Sequence, residues 1–350
     1  MLAGNEPGFV YQRDGHPNAV AIAEKCRLLH GAEKAAVTSS GMSALSLALL
    51  SQAKSGDHLI ISDRLYGRSL ALLVKEAGRL GIEATVVDTC DLAATQGALR
   101  ATTRMIVVET ITNPTLRVPD LAALAEIAAG KAELLVDNTF ASPIVCRPLE
   151  FGAAFAMESL TKIMNGHSDV MLGLLAGPAR LWGRVADALS SWGLASSPFD
   201  CWLAERGLAT LHLRAERACS NALAAAEFLA ESAELERVDY PGLASHPDHA
   251  IAVRQFGKQF GWMVTIHLCG GRSAAEAFLR GAARIPFCPS LGEVSTTLSH
   301  PESTSHRSFT SELRAKLGIT GGTIRLSIGT ESPEFVREAL AEGLAEVRRG

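Results

Sequence analysis

From residue 19 to about residue 140 the chain alternates short apolar runs with stretches whose apolar positions recur at helical spacing. AVAIAEKCRLLH at 19–30 reads as a helix, with Asn18 ahead of it as the expected cap and Gly31 behind it. KAAVTSS then predicts a strand, GMSALSLALLSQAK a helix, HLIIS a strand, and GRSLALLVKEAGRL a helix ending near Gly81. EATVVD, MIVVE and ELLVD are further β-rich runs with helices between them. Strands that alternate with helices predict an α/β fold, a mainly parallel sheet covered on both faces. In such sheets a ligand sits beyond the carboxyl ends of the strands.

The second part of the chain has a different rhythm. An Ala-rich helical stretch runs from about Leu203 to Glu234, followed by a turn-rich connection, VDYPGLASHPDH. WMVTIHL and TIRLSIG read as strands and PEFVREALAEGLAEVRR as a closing helix, which predicts a smaller α+β domain. The expected division is an arm at 1–15, with too little apolar pattern to fold alone, a large domain at 16–214 and a small domain at 215–350. A chain of 350 residues suits one large and one small domain.

Composition narrows the function classes. A net charge of -4 gives no reason to expect nucleic acid or an anionic membrane as partner. The apolar runs are short or broken by charge, and no secretory leader opens the chain. Seven cysteines, an odd number with no CxxC, read as scattered core thiols in a reducing compartment, so a cytoplasmic protein is expected. His246 and His249 form an HxxH in a loop, but a metal needs more converging ligands, and no metal site is expected.

The candidate chemistry centres on ESLTKIMNGHSD, which follows the apolar run GAAFAM and would set Lys162 at the mouth of the sheet. Alone, a lysine is usually a solvated surface residue. Three companions change that reading. Asp137 ends an apolar strand, where a carboxylate is costly unless paired. It is either a hydrogen-bonded buried acid or the partner of a protonated ring nitrogen. SSGMSA at 39–44 lies between a strand and a helix, an ordinary cap or a cradle of backbone amides for a phosphate dianion. Ser159 and Thr161 could add hydroxyls to that phosphate. Tyr66, in DRLYGRS, is either a packed aromatic or a ring stacked on a cofactor.

Taken together these segments resemble the Cys/Met-metabolism enzymes that depend on pyridoxal phosphate (PLP). The resemblance starts at YQR, 11–13, and continues through SSGMSA, LYG at 65–67, ETITNPTLRVPD at 109–120, VDNTFASP at 136–143 and SLTKIMNGHSD at 159–169. It extends to SSPFDCWLAERGLATLHLR at 196–214, YPGLASHPDH at 240–249, SLG at 290–292 and IRLSIGTES at 324–332. It implies the aspartate aminotransferase-like, type I fold of PLP-dependent transferases. It also implies γ-elimination or γ-replacement on a sulfur amino acid or an O-acylhomoserine. Lys162 matches the lysine that binds the cofactor covalently, and Asp137 the partner of its ring nitrogen. Gly41, Met42, Ser159 and Thr161 match phosphate ligands, and Tyr66 the stacking tyrosine. Asn113 matches a residue near both cofactor and substrate carboxylate. Arg325 matches the clamp for that carboxylate, with Ser290 beside it. Tyr11 and Arg13 match residues that complete a neighbouring subunit's site, so a homo-oligomer, a dimer of dimers, is implied. The chain departs from the family at the short arm, at Trp262 where glycine is usual, at Arg68, and at Pro289 where cystathionine-handling members often carry Glu. These departures motivate a rival reading, a catalytically weakened homologue that keeps the fold for binding or assembly.

Overall fold

The structure, a computed structural model, describes residues 8–307 and 309–349. Seven strands form the larger sheet: β1 (Lys34–Thr38), β2 (His58–Ser62), β3 (Glu83–Val87), β4 (Thr103–Glu109), β5 (Glu133–Asp137), β6 (Phe155–Ser159) and β7 (Gly173–Gly177). Their order is β1-β7-β6-β5-β4-β2-β3. All neighbours are parallel except β7, which runs antiparallel to both β1 and β6. The central strands are apolar without alternation because helices cover both faces. All five residues of HLIIS are buried. Each fully buried Ile or Leu there is worth about 1.5–3 kcal/mol of removal from water. This is the α/β architecture of the type I fold.

Four strands form a second, wholly antiparallel sheet in the order β10-β11-β9-β8: β8 (Leu235–Asp239), β9 (Met263–Leu268), β10 (Thr297–Ser299) and β11 (Thr323–Ser327). Its core holds Val264, Ile266, Phe278, Ile324 and Leu326 under the closing helix Pro333–Arg349. The helix Leu211–Ala230 serves both sheets. Its Ala215, Ala218 and Cys219 pack into the larger core, and its Ala222, Ala225, Ala226 and Leu229 into the smaller one.

Three local expectations are corrected. The cap of the first helix, Pro17–His30, is His16, whose Nδ1 accepts from the Ala19 amide at 3.1 Å. Asn18 instead donates to the Pro198 carbonyl. The Ala-rich stretch is two helices, Pro198–Leu208 and Leu211–Ala230, because the Gly207 carbonyl is taken by the Arg214 guanidinium and by Thr210. The thiols are not all in the core. Cys26, Cys146, Cys201 and Cys219 are buried, Cys90 and Cys288 half-buried and Cys269 exposed, and all are free. Strand β7 has no counterpart in the sequence pattern. Trp262, despite the polar edge of its indole, is fully buried just before β9.

Candidate active site

The carboxyl ends of β1, β2, β4, β5 and β6 open on one edge of the larger sheet, and the predicted residues gather there. The turn after β1 leads through Ser40, which caps the helix Gly41–Gln52 by accepting from the Ser43 amide at 3.1 Å. Gly41 lies against the end of β6. A Cβ at this position would sit 2.9 Å from Ser159 Cβ and 3.2 Å from Ser159 Cα. Only glycine permits that approach, and it brings the helix N-terminus beside the Ser159 hydroxyl. The Ser159 amide donates to Thr139 Oγ1 at 2.9 Å. The Thr161 hydroxyl is engaged with its own chain, bonding both the amide and the carbonyl of Leu172. Met42 is half-buried, with Sδ 3.8 Å from Ser69 Oγ.

Asp137 ends β5, partly exposed, and its Oδ1 accepts from the amide and hydroxyl of Thr139 at 3.0 and 2.5 Å. Burial pushes its carboxyl up to about 6 against those two hydrogen bonds, with Glu158 adding to the rise. Its register partner on β4 is Glu109.

Lys162 lies in the turn after β6. Among the described residues its ammonium finds a single partner, donating to Ser290 Oγ at 3.1 Å. Burial first, and then the Arg325 charge, lower its pKa below the ordinary lysine range. The 290–292 segment approaches closely because Gly292 sits at φ +71°, where a Cβ would meet the Ile163 amide at 2.7 Å. Behind the turn, Arg214 donates to the carbonyls of Ile163 (2.7 Å), Met164 (3.1 Å) and Gly207 (2.7 Å) and so locks the lysine loop.

Arg325, on β11, is 3% exposed. It donates to Asn113 Oδ1 and to the Pro289 carbonyl, both at 3.0 Å, while its Nε is buried without a partner. Among the described residues no carboxylate pairs with it, and burial lowers its pKa to about 10. Arg214 is also buried with no carboxylate partner among the described residues, but three carbonyls satisfy it. Arg325 is left with binding capacity to spare.

Tyr66 is 41% exposed at the mouth, and its amide donates to Glu109 Oε1. Sequence reasoning does not single out Glu109. Its signals are its place at the end of MIVVE, a charged residue closing an apolar strand just as Asp137 does, and at the head of the segment ETITNPTLRVPD. His306 is passed over in the same way. It is 1% exposed, held edge-on by Phe309 at 5.1 Å, and burial together with the Arg325 charge lowers its pKa to about 4, which keeps it neutral.

Tyr11 and Arg13 stand apart from this group. Both are exposed; the Arg13 guanidinium lies 5.2 Å from the centre of the Tyr11 ring and donates to the Ser190 carbonyl. Arg68 is exposed with no ion-pair partner among the described residues. Asp63 pairs with Arg64 and Lys316, and Glu76 with Arg79. His246 is buried, and His249 bonds the Pro241 carbonyl and stacks on Phe260. The described residues contain no cluster of metal-binding side chains and no helix long and apolar enough to cross a membrane.

A family profile described as "Cys/Met metabolism PLP-dependent enzyme" matches residues 1–345. An L-methionine gamma-lyase of Fusobacterium nucleatum subsp. polymorphum is 39% identical, over 99% of this chain and 88% of its own length. An O-succinylhomoserine sulfhydrylase of Pseudomonas aeruginosa is 39% identical, over 98% of this chain and 85% of its own. Among solved structures, a cystathionine gamma synthase of Xanthomonas oryzae pv. oryzae, in complex with aminoacrylate and cysteine, superposes with a TM-score of 0.95. It is 38% identical, over 99% of this chain and 90% of that one.

Proposed function

This chain belongs to the Cys/Met-metabolism family of PLP-dependent enzymes, and from that premise we propose that its site carries out γ-elimination or γ-replacement on a sulfur amino acid or an O-acylhomoserine. The observation that carries the reading is Arg325. A buried guanidinium with no pairing carboxylate among the described residues and an orphaned Nε is poised for a planar anion, which it reads through two parallel hydrogen bonds. The α-carboxylate of an amino acid is that anion.

The residues present fit the cofactor. Gly41 and Ser159 leave a cradle at a helix N-terminus for a phosphate, with Met42 in the first turn of that helix, while the Thr161 hydroxyl is taken up by Leu172. Asp137 offers a carboxylate whose raised pKa falls when a ring nitrogen shares its proton. Lys162 offers an amine with no acidic partner among the described residues. When bound, pyridoxal phosphate supplies an electron sink for charge developing on the substrate's α-carbon.

Lys162 Nζ, with its depressed pKa, takes the α-proton. Asn113 and Arg325 hold the carboxylate so that this proton faces the lysine, and Ser290 orients Nζ. Tyr66, open at the mouth, moves a proton to the departing γ-substituent. Tyr11 and Arg13 are proposed to complete the site of a neighbouring subunit in a dimer of dimers; their exposure away from their own chain's site supports this. A cytoplasmic setting fits the seven free thiols. The parts of the chain are proposed to divide at about residue 215, within the helix that serves both sheets.

Purified holoenzyme should release keto acid from methionine or O-succinylhomoserine and use cystathionine less well. The exposed Arg68 repels a distal ammonium and attracts a distal carboxylate, and Pro289 supplies no acid. Borohydride should fix the cofactor on the peptide carrying Lys162, and Lys162→Ala should abolish turnover in a folded protein. Label on another lysine would refute the assignment. Colourless protein that gains no visible band with added cofactor and releases no keto acid would favour the weakened, binding-only homologue.

A further inference from the structure

Glu109 closes β4 beside Asp137 and is 5% exposed. Both of its carboxyl oxygens are in use. Oε1 accepts from the Tyr66 amide at 2.6 Å, and Oε2 accepts from the Asn113 amide at 3.1 Å. The two amides belong to different connections, one leaving β2 and the other leaving β4. Asn113 passes the geometry on, since its Oδ1 accepts from Arg325. One carboxyl group therefore ties the tyrosine at the mouth to the residue that orients the carboxylate clamp.

The chemistry of this bridge is specific. A carboxyl is the side-chain group that offers two acceptor oxygens in a fork, whereas an amide replaces one of them with an NH2 that faces a donor. The bridge is also costly to keep. Burial and the neighbouring Asp137 both push the Glu109 pKa well above the ordinary range. A side chain needed only for packing could be apolar at this position.

We propose that Glu109 is a positioning residue for the reaction. It fixes Tyr66 and the Asn113–Arg325 pair relative to each other, so that the proton-moving hydroxyl and the carboxylate clamp address the same substrate molecule. The inference rests on the function proposed above. Displacing a positioned group by about 1 Å commonly costs about a hundredfold in rate.

The test is steady-state kinetics on the holoenzyme with the best sulfur amino acid or acylhomoserine substrate. Glu109→Gln keeps the volume and one acceptor. It should raise KM about tenfold and lower kcat/KM about a hundredfold, while cofactor affinity stays within about threefold. Asn113→Ala removes the Oδ1 that meets Arg325 but keeps the amide that Glu109 bonds and leaves the tie to Tyr66. Glu109→Gln combined with Asn113→Ala should therefore lose clearly less than the product of the two single losses, the part acting through Arg325 being already gone. Additive losses in the double variant, or Glu109→Gln kinetics within about twofold of wild type, would overturn the proposal. So would a loss of cofactor binding with the remaining holoenzyme kinetically normal. Should Glu109→Gln fail to fold, Glu109→Asp keeps the carboxyl and both of its oxygens but falls one methylene short. It should show the same rise in KM, and a wild-type KM there would overturn the idea. Wild-type protein inactive on every such substrate would refute the proposed function, whereas undisturbed variants of an active wild type refute only the role of Glu109.

Discussion

The Asp137 carboxyl carries a cost until a cation faces it. Its folded-state pKa is raised from 3.8 to about 6, so the folded protein holds this proton more tightly than the unfolded chain does. The linked stability is fully present below pH 4 and is lost as pH rises through 6, at roughly 1.4 kcal/mol for each pH step between those two values. Asp137→Asn keeps Oδ1 as acceptor for Thr139 and removes the titration. The apo variant should therefore be more stable than apo wild type above pH 6, by on the order of 1–2 kcal/mol once solvent screening of the partly exposed carboxyl is allowed for, with the gap closing towards pH 4. Thermal unfolding of both apo proteins across that range measures it. The same substitution should weaken cofactor function, because a neutral amide does not keep a ring nitrogen protonated. A variant no more stable than wild type at about pH 7.5 would show that Asp137 is already compensated in the apo protein.

At the scale of elements, the lysine turn is held by a helix that lies outside the site. Arg214, on Leu211–Ala230, satisfies three carbonyls, two of them in the turn after Lys162 and one at the end of the preceding helix. Arg214→Met keeps most of the stem but leaves those carbonyls without a donor. The loss should be about 2 kcal/mol, since removing a buried charge returns part of the cost of unsatisfied acceptors. Urea unfolding should show a lower midpoint with an unchanged slope, and a midpoint equal to wild type would refute the lock. The sequence pattern does not anticipate this arrangement. It runs the Ala-rich stretch through as one helix because neither glycine nor proline stands at residues 209–210, and the break comes from Gly207 and Thr210 meeting Arg214 and Asn165. Strand β7 goes unread for a related reason. GLLAG is short and glycine-bounded, and only its pairing with β1 and β6 makes it a strand.

At the scale of the whole molecule, Tyr11 and Arg13 lie on the surface, away from their own chain's site, and the arm that holds them packs on the helix Val185–Ser191. If they complete a neighbour's site, the active unit is at least a dimer. Arg13→Ala should then weaken cofactor retention, and so leave that chain nearly inactive, as Lys162→Ala does. Mixing the two inactive chains should restore up to about a quarter of wild-type activity, because some hybrid sites draw Lys162 from one chain and Arg13 from the other. Activity in the mixture no greater than the sum of the separate chains, or a fully active monomer in sedimentation, would refute the shared site.

Much of this protein is legible in one dimension. Apolar strands that end in Asp137 or in ESLTK, and the glycine of SSGMSA, carry their meaning locally, because a parallel strand must be apolar along its length and a charge at its end must have a purpose. The alternation of strand and helix predicts the parallel sheet for the same reason. Other features come only from folding. Glu109 looks like any acid at a strand end until Tyr66 and Asn113, 43 and 4 residues away, turn their amides towards it. Arg325 is one arginine in an antiparallel strand until Asn113, 212 residues earlier, meets it and no carboxylate among the described residues does. Periodicity reports what each segment buries, but a polar group's partners are set by chain connections of arbitrary length, so only the tertiary structure could say which buried charges are satisfied and which are left to bind.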